Sequence, residues 1–471
     1  MMILTVVLIY FSVLFVISRW VSRGTSNDTF FRGERRSPWW LVAFGMVGAS
    51  ISGVTFVSVP GMVLTSGMAY LQLCLGFILG YLAVAFVLLP VYYRMNLTSI
   101  YSYLGQRLGI RSYQTGACFF LLSKICGAAL KFYVVCIIMQ QFVFQDLGIP
   151  FPLTVLGLVL LIWLYTQRGG IRTLVFTDTF QTFCLFTALL LIIYMVLGEM
   201  GYSFSDAFKA IRSDERSQVF VFSDWKSPWN FWKQLLSGLF IVVVMTGLDQ
   251  DMMQKNLTCR TLREAQKDMC TYGVAFLPAN FLFLALGVLL AQYFEAHGMA
   301  LPVKGDELLP MFVQNESTLV NSLSSLFILG IVAASFSSAD SSLTSLTTCF
   351  CVDICQDEHN ERLRRISHIV ICCLFALFIM LFHAVNSKSL IDAIYTIVSY
   401  TYGPLLGLFA FGLFTKRQVR DAAVPYICIM SPLLCYAVSE VAISQFGYHF
   451  GYELLLLNGL LTFLGLWVMK R

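Results

Sequence analysis

The sequence predicts an all-α membrane protein that crosses the bilayer about thirteen times. Its 471 residues are 58% hydrophobic and only 12% charged, with a mean hydropathy of +0.77. A soluble protein cannot bury that much apolar surface. A membrane-spanning helix needs about 20 mostly apolar residues. Thirteen segments meet this requirement, at roughly 2–18, 38–60, 67–93, 115–143, 150–166, 174–198, 229–254, 268–293, 319–350, 366–385, 390–415, 422–443 and 452–469.

The distribution of basic residues predicts how these segments are oriented. If the N-terminus lies outside the cell, 22 of the 31 lysines and arginines fall in loops that face the cytoplasm, and six fall in the opposite loops. An even number of spans would scramble this alternation. We therefore expect a multi-pass protein of the plasma (cytoplasmic, or inner) membrane, with its N-terminus outside and its C-terminus inside. The net charge of +5 follows from this layout, and no nucleic-acid partner is expected.

The first segment, 2–18, is expected to be a retained helix. A secretory signal peptide has a basic start and a small-residue cleavage site. This segment has neither, and its charges, Arg19 and Arg23, follow the apolar run.

Two later segments are interrupted by glycine. They are the second, which contains "AFGMVGASISGVTFVSVPG" (43–61), and the seventh, 229–254. Interrupted helices at matching positions of two halves are typical of transporters with inverted repeats. The alternative is close helix packing, as expected for "GFILG" (76–80). The five-segment spacing and the polarity of both segments favour the transporter.

The ninth segment carries a row of hydroxyl groups and a carboxylate, in "AASFSSADSSLTSLTT" (333–348). On a helix, six of these positions share one face: Ala334, Ser337, Ser338, Ser341, Ser345 and Thr348. Hydroxyl oxygens can replace the water shell of a hard cation such as Na⁺. The alternative is that each hydroxyl bonds the carbonyl four residues earlier. An intramembrane carboxylate, here Asp340, indicates a functional site by default.

Enzyme and channel motifs are absent from the sequence. The five histidines are dispersed, and no HExxH, GxSxG or phosphate-binding loop occurs. The fourteen cysteines match no zinc spacing, so we expect no disulfide and no metal cluster. A membrane sensor with a transporter-like domain is the alternative from a different class, although no signalling module follows Arg471. The sequence therefore favours a transporter and not an enzyme, with no catalytic residues.

Several motifs together resemble the sodium:solute symporter family. They are "GASIS" (48–52), "TDTFQ" (177–181), "GLDQDMMQKNL" (247–257), "AASFSSADSSLTSLTT" and "YGPLLGLFAFGLFTKR" (402–417). The resemblance covers nearly the whole chain. It implies the LeuT-like fold, a 5+5 inverted repeat with broken first and sixth core helices. The expected layout is one transporter domain over 1–471, with a peripheral helix at 2–18, a core at about 38–415 and peripheral helices at about 422–469.

The resemblance also implies ion sites. The first sodium ion would bind the carbonyls of Gly48, Ile51 and Ala334 and the hydroxyls of Ser337 and Ser338. Some members have a second cation site, which matches Asp178, Asp340 and Ser341 here. The chain departs from the family at Asp340, because the family has a hydroxyl there. The second site could bind sodium, be linked to protons, or be lost.

A solute pocket is expected beside these sites. Hydroxyls on the first broken helix match those that hold the substrate in members that transport sialic acid. Lys124 lies near the position where those members have an arginine, and Lys131 lies on nearly the same face of the helix. Either lysine could instead reach an interface or pair with an acid. The substrate-binding candidates are Ser50, Ser52, Thr55, Tyr70, Gln72, Lys124, Lys131 and Tyr402.

These observations predict sodium-coupled symport of a small organic solute into the cell. An acidic sugar such as sialic acid, or another carboxylate, is preferred because neutral-sugar members carry more amides and acids. The alternatives are a neutral sugar or other solute, and coupling to protons. The expected partners are Na⁺, the solute and the lipid bilayer, with no organic cofactor, and the protein is expected to work as a monomer.

Overall fold

The structure, a computed structural model, describes residues 2–22, 26–145, 147–167, 169–223, 225, 227–315, 320–385, 390–448 and 450–469. Extended pairing in these residues is limited to one bridge between Ser37 and Cys259. The α-helices are α1 (Met2–Val21), α2 (Asn27–Arg32), α3 (Trp39–Ser50), α4 (Gly53–Gly61), α5 (Val63–Ser66), α6 (Tyr70–Ala83), α7 (Leu89–Arg94), α8 (Ser102–Arg107), α9 (Ile110–Met139), α10 (Phe151–Thr166), α11 (Gly170–Met200), α12 (Phe204–Ser213), α13 (Phe231–Val242), α14 (Gln250–Asn256), α15 (Leu262–Ala296), α16 (Leu308–Asn315), α17 (Val320–Cys349), α18 (Glu361–Val385), α19 (Leu390–Thr401), α20 (Gly403–Phe414), α21 (Val424–Phe446) and α22 (Leu454–Val468).

Each predicted segment coincides with one helix or with consecutive helices. Among the described residues, eight helices and two bent helix pairs are long and apolar enough to cross a membrane. Three shorter apolar helices accompany them, α10, α20 and α22. The predicted segment 390–415 is two helices, α19 and α20, which meet at Tyr402. The all-helical membrane fold predicted from hydropathy is confirmed.

The first broken helix consists of α3 and α4, which are bent by 61°. Between them Ile51 and Ser52 adopt extended backbone, with ψ of 98° and 173°. Gly53 allows α17 to approach at this point, because a Cβ atom at Gly53 would lie 2.2 Å from Ser335 Oγ. The break therefore places backbone that is not helical against α17, the helix that carries the hydroxyl row.

The second broken helix consists of α13, extended by a π-helical turn to Gly247, and α14. Its two halves are bent by 70°. Leu248 and Asp249 leave the helical conformation, and the Asp249 carboxylate then caps α14 by accepting a 2.8 Å hydrogen bond from the Asp251 N–H. A capping carboxylate satisfies an amide that has no partner inside the helix. The predicted interruptions of both segments are confirmed.

Helix α17 lies in the centre of the protein, against α11, α9, α3 and α4. Its residues 333–348 are all buried. Close packing explains other glycines, because α6 and α13 cross where a Cβ atom at Gly238 would lie 2.3 Å from the Leu73 carbonyl oxygen. Gly76, within the predicted contact 76–80, faces Gly238 at this crossing.

One loop prediction is wrong. The predicted segment 229–254 ends just before Lys255, so the count of basic residues places Lys255 in the cytoplasmic loop that follows, 255–267; Lys255 instead lies in α14, and its side chain is only 2% exposed. The reason is the break at Asp249, which lets the helix resume at a new angle for seven residues and carries Lys255 back into the protein. The loops predicted to face the cytoplasm retain 21 basic residues, so the predicted orientation is unaffected.

Candidate functional site

A cavity of about 110 Å³ lies where the two broken helices meet. Its wall is formed by α3, α4, α6, α9, α13, α14 and α15, together with both breaks. Its polar lining includes Ser50, Ser52, Thr55, Lys124, Lys131 and Asp249. Five predicted substrate-binding residues of the first broken helix and α9 are thus joined by a carboxylate of the second break that was not predicted.

Tyrosine side chains add hydroxyl groups to this wall. Tyr272 of α15 hydrogen-bonds the Ser50 hydroxyl at the first break. Its ring packs against Tyr81, with centroids 4.4 Å apart, and Tyr70 lines the cavity from α6. Hydroxyl groups both donate and accept hydrogen bonds, which suits a polar, many-hydroxyl solute.

Lys124 is held by two carboxylates from the second broken helix. Its ammonium lies 3.0 and 3.1 Å from the two oxygens of Asp249 and 2.8 Å from Asp251 Oδ2. The lysine side chain is 12% exposed, and both acids are nearly fully buried. Tyr402 also donates to Asp249, at 2.8 Å. The sequence left open whether Lys124 pairs with an acid, and the structure shows that it does.

Lys131 differs from Lys124 although both lie on α9 and both line the cavity. No carboxylate of a described residue lies within 4.0 Å of the Lys131 ammonium. An ammonium at membrane depth without a counter-ion is costly. Lys131 is therefore the cation in this cavity that a bound anion could pair with.

Hydroxyl groups of α17 make two kinds of hydrogen bond. Towards its end, Ser342, Thr347 and Thr348 donate to the carbonyl four residues earlier, at 2.7–2.9 Å. In the middle, Ser337 donates instead to Asp178 Oδ1 at 2.8 Å and Ser341 to Asp340 Oδ1 at 3.2 Å. Back-bonding within the helix therefore explains the hydroxyl groups near its end, whereas Ser337 and Ser341 bond carboxylates instead.

Residues of the predicted first sodium site lie on neighbouring elements. Gly48 is on α3, Ile51 is in the first break, and Ala334, Ser337 and Ser338 are on α17, which packs against both halves of that helix. All five are buried. Gly48 also permits contact with α11, because a Cβ atom there would lie 1.8 Å from Thr182 Oγ1.

The predicted second cation site contains an ion pair. The Lys255 ammonium lies 2.7 Å from Asp178 Oδ2, and the two side chains are 2% and 1% exposed. Asp178 Oδ1 accepts the hydrogen bond from Ser337 described above. Asp178 thus connects the first predicted ion site to a lysine of α14.

Asp340, the second carboxylate of the predicted second cation site, accepts hydrogen bonds from two hydroxyl groups. Its Oδ2 accepts a 2.7 Å hydrogen bond from the Tyr165 hydroxyl of α10, in addition to the bond from Ser341. It is fully buried, and its charge is close enough to interact with those of Asp178 and Lys255.

Seven ionisable side chains form what we call the buried charge cluster. With all seven ionised, three ammonium and four carboxylate groups give a formal charge of −1. Five members are buried, Asp178, Asp249, Asp251, Lys255 and Asp340, and two, Lys124 and Lys131, are partly buried where they line the cavity.

Two substrate-binding candidates lie outside the cavity lining. The Gln72 side chain donates to the Trp229 carbonyl at 3.0 Å and accepts from the Val221 N–H at 3.0 Å, so it holds the segment that leads into α13. Tyr402 contacts the cluster through Asp249.

Four residues at this site were not predicted: Asp249, Asp251, Lys255 and Tyr272. The first three were visible as charges within or at the end of an otherwise apolar segment, which is a signal of function by itself. Tyr272 carried no such signal, because tyrosine is common in apolar helices near membrane surfaces.

Comparison with known proteins agrees with this architecture. Residues 30–426 match the sodium:solute symporter family. The sodium/sialic acid symporter SiaT of Proteus mirabilis (strain HI4320) is 27% identical over 429 residues, 86% of this chain and 83% of SiaT. The sodium/sialic acid symporter NanT of Aliivibrio fischeri (strain ATCC 700601 / ES114) is 26% identical over 421 residues, 85% of this chain and 80% of NanT.

A solved structure, of a Na⁺-coupled sialic acid symporter in a substrate-bound outward-open state, matches with a TM-score of 0.84. It is 22% identical and covers 100% of this chain and 99% of its own. The family match includes both broken helices, the cavity between them and the hydroxyl-bearing helix α17. The chain therefore belongs to the sodium:solute symporter family and has its LeuT-like fold of two inverted repeats.

Proposed function

We propose that this protein is a sodium-coupled symporter that brings a small acidic sugar, such as a sialic acid, into the cell. The observation that carries the proposal is Lys131, an ammonium that lines a hydroxyl-rich cavity without a carboxylate partner among the described residues. The proposal is also supported by SiaT and NanT, which are named as sodium/sialic acid symporters.

The chemistry of the cavity fits a sugar acid. Such a solute has one carboxylate, which Lys131 would bind through a charge-assisted hydrogen bond. Its hydroxyl groups would bind Ser50, Ser52 and Thr55 of the first broken helix and Tyr70 of α6. Lys124 would have a different role, because its ammonium already lies between Asp249 and Asp251.

Sodium would bind first between the broken helix and α17. The carbonyls of Gly48, Ile51 and Ala334 and the hydroxyls of Ser337 and Ser338 are hard oxygen ligands of the kind that Na⁺ prefers. Support for this site comes from the buried position of all five residues and from the broken backbone at Ile51.

A second cation would bind beside it, at Asp178 with Asp340 and Ser341. Ser337 already donates to Asp178. The two sites would therefore lie next to each other, and both would take ligands from α17. The formal charge of −1 on the buried charge cluster also favours cation uptake. Adding a monoanionic solute makes the site −2, which two sodium ions would neutralise.

We place the protein in the inner (cytoplasmic) membrane, with its N-terminus outside and its C-terminus in the cytoplasm, on the basis of the basic residues in its loops. We also propose that it works as a monomer, that one transporter domain extends over 1–471 and that it catalyses no covalent reaction.

Uptake into proteoliposomes tests the proposed function. Radiolabelled N-acetylneuraminate should accumulate when a sodium gradient is imposed and should not accumulate with a choline gradient of the same size. An unlabelled panel of sugar acids, simple carboxylates and neutral hexoses would then compete for uptake. Competition by neutral hexoses alone would contradict an acidic substrate, and uptake driven equally by a proton gradient without sodium would contradict sodium coupling.

A further inference from the structure

The ion pair between Lys255 and Asp178 lies inside the region proposed to bind a second cation. The ammonium and the carboxylate oxygen are 2.7 Å apart, both are buried, and the two residues belong to α14 and α11. A lysine ammonium carries the same charge as a sodium ion. At this position the Lys255 ammonium pairs with Asp178, the carboxylate that a second cation would need as its ligand.

Hydrogen bonding at this pair is incomplete. Neither Asp178 Oδ2 nor the Lys255 ammonium makes a well-oriented hydrogen bond to a described residue, although the two are in contact. A buried ion pair is strong only when its remaining donors and acceptors are also satisfied. The attraction of opposite charges is therefore the main interaction of this pair, and another cation could supply the same attraction.

Lys255 also lies on a half-helix that other polar contacts fix to α17. Ser342 Oγ lies 3.3 Å from Asp251 Oδ2, and Gln254 donates to Thr348 at 3.0 Å. Among the residues that the structure describes, the Lys255–Asp178 pair is the contact that ties α14 to α11 through opposite charges. Loss of this pair would loosen the inner half of the second broken helix from α11.

We propose that Lys255 is a tethered cation that occupies the second cation site, and that a sodium ion binds Asp178 only by displacing the ammonium. This inference rests on the proposed sodium coupling. Sodium binding at Asp178 then releases α14 from α11, so the ion at this site and the position of the half-helix are linked. Lys255 acts as a positioning residue and as a competitor of sodium.

Equilibrium binding of ²²Na⁺ to the purified full-length protein tests this competition. Lys255→Met removes the competing charge and keeps the chain length, so it should tighten one sodium site by about tenfold or more. Lys255→Arg keeps the charge and should retain the wild-type affinity. Lys255→Met combined with Asp178→Asn should lose the gain. Lys233→Met, at a lysine that bonds Tyr448 on the predicted outer side, is the matched control.

The possible results of the sodium-binding experiment either support or overturn competition between Lys255 and sodium. Unchanged or weaker sodium binding in a folded Lys255→Met protein overturns the proposal, as does a gain that persists in the Asp178→Asn background. If Lys255→Met folds only in sodium chloride and aggregates in choline chloride, sodium replaces the ammonium and the proposal stands. Aggregation in both salts overturns it. If neither the wild type nor Lys255→Met binds sodium, the proposed sodium coupling itself fails. If both bind sodium with equal affinity, only the proposed competition by Lys255 fails.

Discussion

Lys124 and Asp251 form a buried ion pair, 2.8 Å between the ammonium and the carboxylate oxygen, that joins α9 to the inner half of the second broken helix. The same ammonium also contacts Asp249, the residue that caps this half-helix. The two lysines of α9 thus face the cavity in different electrostatic states, one neutralised by two acids and the other without a carboxylate neighbour in the described part of the chain.

Substrate binding should depend on Lys131. Lys131→Met should weaken the binding of N-acetylneuraminate roughly 10- to 100-fold, since a charge-assisted hydrogen bond contributes about 1.5–3 kcal/mol. Lys131→Arg should retain most of the affinity. Calorimetric titration measures both, with the methyl ester of the same sugar as the neutral control. Equal losses for the acid and its ester would show that Lys131 is not the carboxylate ligand.

The stability of the fold should depend on Lys124. Lys124→Gln leaves Asp249 and Asp251 buried without their cation, which costs about 3–5 kcal/mol when one partner of a buried pair is removed. We expect a lower midpoint of thermal unfolding, and partial recovery when Asp249→Asn is added to the same chain. A Lys124→Gln protein as stable as wild type, with selective loss of anionic solute, would instead place Lys124 in the substrate site.

Activation by sodium should depend on Ser337 and Ser338. Replacing either by alanine removes one oxygen ligand and should weaken sodium activation of uptake about 5- to 30-fold. Ser345→Ala is the matched control, because that hydroxyl donates to the Ser342 carbonyl within the same helix. If the double variant Ser337→Ala/Ser338→Ala keeps the wild-type sodium dependence, the first ion site lies elsewhere.

Asp340 should determine how many sodium ions are coupled to each solute molecule. Asp340→Asn keeps the shape but removes the charge, so it should lower the Hill coefficient for sodium. Tyr165→Phe removes only the 2.7 Å hydrogen bond to this carboxylate and should leave the Hill coefficient unchanged. Superimposable sodium curves for wild type and Asp340→Asn would make Asp340 a structural carboxylate.

Packing between α6 and α13 should be sensitive to a single methyl group. Gly238→Ala would place a Cβ atom 2.3 Å from the Leu73 carbonyl oxygen, and overpacking of this kind costs about 1–3 kcal/mol. Gly157→Ala on α10 is the control, since nothing lies within 4 Å of its added Cβ atom. The unfolding midpoint in detergent should fall for the first variant only, and equal midpoints would contradict this close crossing.

Hydropathy and local pattern were sufficient to predict the helical segments, the two breaks and the hydroxyl-bearing helix. These features depend on neighbouring residues, because an apolar run forms a helix in lipid whatever lies beside it. The break in 43–61 was predictable for the same reason, since glycines and serines weaken the helix locally.

Ion pairs were not predictable in this way. Lys124 and Asp249 are 125 residues apart, and only the packing of α9 against the second break brings them together. Lys255 was placed in a loop because its burial depends on a 70° bend six residues earlier. Choosing between Lys124 and Lys131 as the anion ligand therefore required the three-dimensional arrangement.

The formal charge of −1 on the buried charge cluster has an electrical consequence. With all seven groups ionised, an empty carrier that reorients would move this charge through part of the membrane field, where one charge moved across the full field is worth about 2.3 kcal/mol per 100 mV. In the proposed loaded form, two sodium ions and one monoanionic sugar would bring the formal charge to zero as long as the Lys255 ammonium stays within the cluster, and this form would be indifferent to voltage. A negative cell interior would then drive the return of the unloaded binding site to the outside, so that the resting potential of the cell resets the transporter after each delivery.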